Sequence, residues 1–410
     1  MDLANTFHLL SSTGLSGEPY SIDITDEPKI PVYTCFPSNE CYGRYDTEDV
    51  VGQGTHPSRL HAKTKSIAEF LERLCLFNPR PDLLSGPYMF ADNGEFADPG
   101  TFSCYSEEQV GNREAFSDNV RKKAYRWLKC HDYFKDSEIM VPAQVIYLAG
   151  VPDDYQILRE SISTGAALGH VDESRAFDSG LLEALERDAC IHSYLTRKKL
   201  SRVTGFHGEI DDLMNYLRRY HLEVYPFVVT NDLGVPTVMT VILDRTEIGP
   251  AVSVGSKAAF NYSDAVLSSI LESIQCRGYA RLMKNVEFPG GLPGEDEITT
   301  LRHRLFYWYP RERIEDIGFW LNDHETVEFR KLTKEATARK EALDRLHQRG
   351  FHLYVADITL PEIKHAGFHV LKVVIPELHP LYLGEQAKAL YSVHHGSIPD
   401  DSKLKPHPLT

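Results

Sequence analysis

Two segments of this chain are apolar on nearly every side except for one narrow stripe of carboxylates. In residues 66–77, "SIAEFLERLCLF", the side chains of Ile67, Ala68, Phe70, Leu71, Leu74, Cys75, Leu76 and Phe77 cover most of a helix and leave Glu69, Glu72 and Arg73 together. In residues 180–190, "GLLEALERDAC", Leu181, Leu182, Ala184, Leu185, Ala189 and Cys190 do the same around Glu183, Glu186 and Arg187. Positions i, i+3 and i+4 share a helix face. Alone, either motif would be read as a solvated Glu–Arg pair worth about 0.2–0.5 kcal/mol. The apolar surroundings argue otherwise, because a buried carboxylate is costly unless it is paired or bound to a metal. A third segment, "ESIQCR" at 272–277, places Glu272 and Gln275 on one helix face, with Arg277 nearby.

If these helices converge, four glutamates face one cavity and repel one another unless a cation joins them. Oxygen ligands in that number suit Mg2+ or Ca2+ rather than zinc or copper. Mg2+ usually shares its shell with substrate phosphates, so a nucleotide is its natural companion. The familiar phosphate cradles are missing. The nearest stretch, "GPAVSVGSKA" at 249–258, has the wrong spacing for a P-loop and no Ser or Thr after Lys257. There is no GxSxG, HExxH or kinase loop set.

The net charge of −15 over 410 residues argues against nucleic acid or an anionic membrane as the main partner, since phosphate binding needs clustered Lys and Arg. No apolar run is long enough to span a membrane, and the first residues lack the basic and apolar regions of a secretory signal. Seven scattered cysteines with no CxxC pair suit reduced thiols in a cytoplasm.

Periodicity predicts helices over 61–77, around 117–130, 174–199, 209–221 and 263–284, with further helical patterns through 349. Strands are expected at "PKIPVYTCF", at "IMVPAQVIYLAG", in "VYPFVVTNDLGVPTVMTVIL" around an "NDLG" turn, and at "FHLYVADITL" and "FHVLKVVIPEL". Residues 78–115 read as a long surface excursion. Residues 396–410 read as an extended tail. Interleaved helices and strands without a linker favour one α/β (α+β) domain with mixed sheets.

In their order and spacing, "EFLER" (69–73), "GLLEALERDA" (180–189) and "ESIQCR" (272–277) resemble the signatures of the YcaO superfamily. The likeness runs over roughly residues 50–410. It includes "ISTGAALGH" (162–170), similar to the family's loop before the second helix, and the late strands in 230–238 and 355–381. On this basis the chain divides into an N-terminal extension (1–50), a catalytic domain (51–395) and a proline-containing tail (396–410). The resemblance implies a non-P-loop site for ATP and Mg2+. Glu69, Glu72, Glu183 and Glu186 would be metal and phosphate ligands. Arg73, Arg187 and Arg277 would contact phosphate or orient carboxylates, and Glu272 and Gln275 would support the nucleotide. Lys65, with Ser66 beside it, stands where the family has a serine. Ala167 and His170 stand for its Ser and Asn, and Glu173 for the glutamate that follows.

Family members that form azolines tend to end in a PxPxP-like tail that reaches into the active site. This chain ends "KPHPLT", so Pro406, Pro408 and Thr410 are the corresponding positions. Alternating prolines are stiff and lose little entropy on docking. The resemblance therefore implies an ATP-dependent peptide cyclodehydratase: a Cys, Ser or Thr side chain of a precursor peptide attacks the preceding amide carbonyl, and phosphorylation of the resulting oxygen lets it leave as the thiazoline or oxazoline closes. With only about 50 residues ahead of the likeness, a separate ocin-type leader-peptide-binding partner is expected, with an azoline dehydrogenase as a further one; a homodimer stays open. Thioamide or amidine formation on the same platform, a silent synthetase scaffold and a plain set of exposed helix faces are the competing readings.

Overall fold

The computed structural model describes residues 3–48, 50–148, 151, 166–169, 172–322 and 324–409. Three sheets and a terminal hairpin carry its strands. The first sheet is antiparallel, in the order β1 (Tyr20–Ser21), β2 (Val32–Cys35), β3 (Gly52–Thr55). The second has five strands in the order β11-β10-β9-β8-β12, where β8 is Ser201–Thr204, β9 Leu222–Val228, β10 Thr237–Asp244, β11 Val252–Ala258 and β12 Glu325–Glu328. Among the described residues its only parallel pair is β8 with β12. In the six-stranded third sheet the order is β4-β5-β13-β14-β7, with β6 also paired to β5. Those strands are β4 (Leu84–Met89), β5 (Ala124–Asp132), β6 (Ser137–Pro142), β7 (Ala166–Gly169), β13 (Tyr354–Asp357) and β14 (His369–Val374). The hairpin pairs β15 (Tyr391–Ser392) with β16 (Gly396–Ser397). The fold is mixed α/β, its sheets flanked by helices.

The motif segments form the longest helices: Arg59–Phe77, Glu173–Leu195 and Tyr262–Glu287. The second starts where the Asp172 side chain accepts from the Ser174 amide, and the third where Asn261 accepts from the Asp264 amide, so side-chain oxygens satisfy amides that the first turn leaves open. Phe70, Leu71 and Leu74 of the first share one core with Cys190, Ile191 and Tyr194 of the second and with Trp127, Trp308 and Trp320. Leu181 and Leu185 pack against Leu371 and Val373 of β14. Val266, Ile270 and Ile274 of the third helix pack on Val238 and Ile242 of β10.

Two close approaches bring helices onto strands. A Cβ at Gly52 would lie 2.1 Å from the Ser66 carbonyl oxygen, and one at Gly54 would lie 2.2 Å from that of Ala62. Strand β3 can therefore rest directly on the first motif helix only because it reads Gly-Gln-Gly.

The structure departs from several sequence expectations. The helix expected around 117–130 ends at Arg121, and β5 begins at Ala124; burial alternates on either side of the adjacent buried pair Trp127 and Leu128. The strand at "IMVPAQVIYLAG" stops at Pro142 and turns into a short 3-10 helix. Residues 78–115 are more than a surface excursion: they supply edge strand β4 and bury Ala97, Phe102, Cys104 and Tyr105. No described helix is long and apolar enough to cross a membrane, and the seven cysteines are free thiols.

Candidate active site

The three motif helices bring their acids to one cleft, together with β11 and β14. Glu186 is only 2% exposed. Its Oε1 accepts from the Ser256 hydroxyl at 2.6 Å and its Oε2 from the Ala258 amide at 2.9 Å, so β11 holds both oxygens. Burial opposes its charge, but Lys257, Arg187 and these hydrogen bonds outweigh burial and keep the carboxyl below its ordinary range. Arg187 reaches Glu183 at 3.7 Å and Glu186 at 3.9 Å.

Glu69 is set from both sides. Its Oε2 accepts from the Gln53 amide at 2.7 Å, which the close approach of β3 makes available, and its Oε1 pairs with Arg73 at 2.8 Å. Gln275 Oε1 accepts from the Thr55 hydroxyl at 3.2 Å, which ties the third helix to the same strand. Glu272 faces Glu186, Lys257, Arg187 and Glu183. Burial first, then the Glu186 charge, push its pKa up to about 7.

Three lysines complete the cleft, and motif reasoning passed over their role. Lys257 is exposed, and the charges of Glu186, Glu272 and Glu183 around it overcome the desolvation that opposes its charge and raise its pKa. Lys65 has Lys257, Glu272 and Glu69 around it, while Ser66 beside it turns inward to the Lys63 carbonyl at 2.8 Å. Lys372 of β14 is wholly buried, and its Nζ has no hydrogen-bond partner among the described residues. Burial pulls its pKa down to about 8, although Glu183 and Glu72 favour its charge. A lysine inside the apolar run "HVLKVV" is itself a readable signal, since lysine is almost never fully buried without a partner. Lys257 belongs to the stretch that fails as a P-loop; it lies in strand β11 and reaches the site from there.

Other candidates lie elsewhere or in a second role. Arg277 is 3% exposed and turned to the N-terminal segment: Nε and Nη2 each reach a Glu27 oxygen at 2.8 Å, and Nη2 also reaches Asp244 at 2.8 Å. Glu173 is exposed in the first turn of its helix. His170 and Thr410 lie outside the described residues.

The tail is extended but packed rather than free. Pro406, His407, Pro408 and Leu409 are buried. The Tyr194 hydroxyl donates to the Lys405 carbonyl at 2.8 Å, and the Trp308 indole N–H to that of Pro406 at 3.1 Å. His407 Nε2 lies 2.9 Å from the Tyr382 carbonyl oxygen. Burial, then the positive charge of Arg304, hold the His407 pKa well below its usual range.

The family model described as YcaO cyclodehydratase, ATP- and Mg2+-binding, matches residues 51–379. The chain belongs to the YcaO family. An uncharacterized protein of Methanothermobacter thermautotrophicus is 28% identical over 161 residues, which span 38% of this chain and 42% of that protein. Among solved structures, the YcaO protein from Methanopyrus kandleri bound with AMPPCP and Mg2+ has TM-score 0.67 at 19% identity, covering 98% of this chain and 96% of that one. A heterocyclase in complex with substrate and cofactor has TM-score 0.70 at 16% identity; it covers 93% of this chain, which spans only 53% of that one. The microcin synthetase McbBCD complex of E. coli gives TM-score 0.65 at 16% identity, with 88% of each chain covered.

ATP and Mg2+ are this family's cofactors, and the cleft fits both. Carboxylates from two helices are hard donors for Mg2+. The unpartnered ammonium of Lys372, with Lys257 and Arg187, calls for an anionic group of the kind a phosphate supplies.

Proposed function

We propose that this YcaO protein is an ATP- and Mg2+-dependent peptide cyclodehydratase that forms thiazolines or oxazolines from Cys, Ser or Thr of a precursor peptide. The observation that carries this reading is the packing of the Pro406–Pro408 tail against Tyr194, on the helix that bears Glu183 and Glu186. A tail held there would narrow the approach to the site and help to keep water from the activated carbonyl.

Bound ATP with Mg2+ supplies the phosphoryl group that turns a backbone amide oxygen into a leaving group. Glu69, Glu72, Glu183 and Glu186 would hold the metal. Lys372, Lys257 and Arg187 would balance the phosphate charge, while Glu272 and Gln275 shape the third wall. Phosphoryl transfer asks mainly for positioning and charge neutralisation, which a cleft of fixed acids and bases provides. The attacking side chain comes from the substrate, so none of the free cysteines is needed as nucleophile. By analogy with the multi-component microcin synthetase complex, a separate leader-binding protein would deliver the precursor, and an azoline dehydrogenase would act afterwards.

Intact-mass measurement of a precursor peptide incubated with this protein, its delivery partner, ATP and Mg2+ tests the proposal. Loss of one water's mass per ring, with ADP release, is the expected result. Exchange of oxygen for sulfur when sulfide is added would replace it with thioamide formation. Unchanged peptide without ADP release would leave a scaffold.

A further inference from the structure

Two residues beyond Glu186, the same helix carries Asp188, whose side chain is fully buried and serves none of the contacts described above. Its Oδ1 accepts from the His379 amide at 2.7 Å. Its Oδ2 is crowded by three groups: Asn231 Nδ2 at 2.7 Å, His394 Nδ1 at 3.0 Å and His395 Nε2 at 3.1 Å. One ligand atom from each of Asp188, His394 and His395 lies within 4.8 Å of the others. The His394 ring is fixed from behind, with Nε2 2.9 Å from Asp232 Oδ1, and Asp232 is in turn paired to Arg349 at 2.6 Å. The His192 ring stacks on His395 with centroids 3.7 Å apart.

These contacts restrict where protons can sit. A carboxylate only accepts, so His394 Nε2 must carry the proton that faces Asp232. His394 Nδ1 then has a free lone pair aimed at the Asp188 oxygen, unless the ring takes a second proton. His395 Nε2 is aimed at that same oxygen. A divalent ion between the three atoms would take the place of the protons that His394 Nδ1 and His395 Nε2 otherwise give to that oxygen, so that each lone pair meets the cation instead. Two imidazoles and one carboxylate are a common donor set for zinc, and a carboxylate behind a ligating histidine is the usual outer partner.

We propose that Asp188, His394 and His395 form a binding site for a divalent transition ion, with Zn2+ as its natural test ion, separate from the carboxylate cleft for Mg2+. The ion would clip the β15–β16 hairpin, and with it the start of the tail, to the second motif helix. This site does not depend on which peptide reaction the protein performs.

The test is equilibrium dialysis of the chelator-stripped full-length protein against Zn2+ in excess Mg2+, with metal counted by mass spectrometry. One equivalent of zinc should be retained. His394→Gln with His395→Gln should release it, Glu186→Gln should retain it, and Asp232→Asn should weaken it by about 10–100-fold. No retained zinc, or equal retention by the double variant, overturns the proposal. Should the double variant fail to fold, the visible spectrum of the Co2+-loaded wild-type protein decides. Intense bands of a four- or five-coordinate site support the proposal. The weak bands of six-coordinate oxygen ligation would place the ion in the glutamate cleft and overturn it.

Discussion

The Tyr194 hydroxyl donates to the Lys405 carbonyl at 2.8 Å, so the helix that carries Glu183 and Glu186 also holds the last segment of the chain. Tyr194→Phe removes that donor and keeps the ring packed. The lost hydrogen bond should cost about 0.5–1.5 kcal/mol of stability. Ring formation should slow by more than the fraction unfolded explains, while nucleotide affinity stays the same. Thermal melts, ADP-release kinetics and nucleotide titration read the three effects apart. An unchanged rate beside a lowered Tm would make the contact purely structural. Deleting residues 406–410 is the poorer experiment, because it also uncovers Trp308 and Tyr382.

Lys372 separates stability from function. Its ammonium is buried and unpartnered among the described residues, so Lys372→Met should stabilise the nucleotide-free protein by roughly 1–3 kcal/mol. If the ammonium meets phosphate, the same variant should bind ATP about 10–100-fold more weakly, the loss of one charged hydrogen bond. Calorimetric titration with a non-hydrolysable ATP analogue and Mg2+ measures the second effect. A variant that gains stability and binds normally would remove Lys372 from the site.

How far the sequence could be read depended on the kind of signal. The acidic stripes were legible because Glu69, Glu72, Glu183 and Glu186 break long apolar faces at helical spacing, and the three helices do form within a few residues of their expected bounds. The burial of Lys372 left a signal in its apolar run, but the place of the basic residues in the site was hidden. Lys257 and Lys372 come from strands, where they look like isolated charges, and only tertiary packing brings them to the helices. At residues 124–132 the helix expectation failed because pairing with three other strands overrode a weak local pattern. The Asp188–His394–His395 cluster joins residues about two hundred positions apart, beyond the reach of any spacing argument.

Glu272 gives a pH signature. Its carboxyl titrates near about 7 in the folded protein against 4.5 in the open chain. Between these values the folded state binds more protons than the unfolded one, so stability of the metal-free protein falls as pH rises through that window. Glu272→Gln, which stays neutral, should flatten this part of the profile. Thermal melts with chelator from pH 4.5 to 7 check it. Parallel profiles for the two proteins would show that Glu186 or another acid holds the proton instead.

Glu186→Gln bears most directly on the metal assignment. The amide keeps the size of the side chain, and its oxygen can still accept from Ser256 or Ala258, but its NH2 meets a donor on the other side. The charge opposite Lys257 and Arg187 is lost as well. The fold should survive, because the apolar contacts of Leu181, Leu185 and Ile191 are untouched. If Glu186 is a direct ligand as proposed, its loss should exceed the 10–100-fold that outer partners usually contribute, so Mg2+-dependent nucleotide binding and ring formation should both fall by more than about 100-fold. Far-UV circular dichroism alongside nucleotide titration and intact peptide mass checks all three expectations. Ring formation at the wild-type rate in a folded Glu186→Gln protein would mean that the metal sits elsewhere and that Glu186 serves only to bind β11 to the helix.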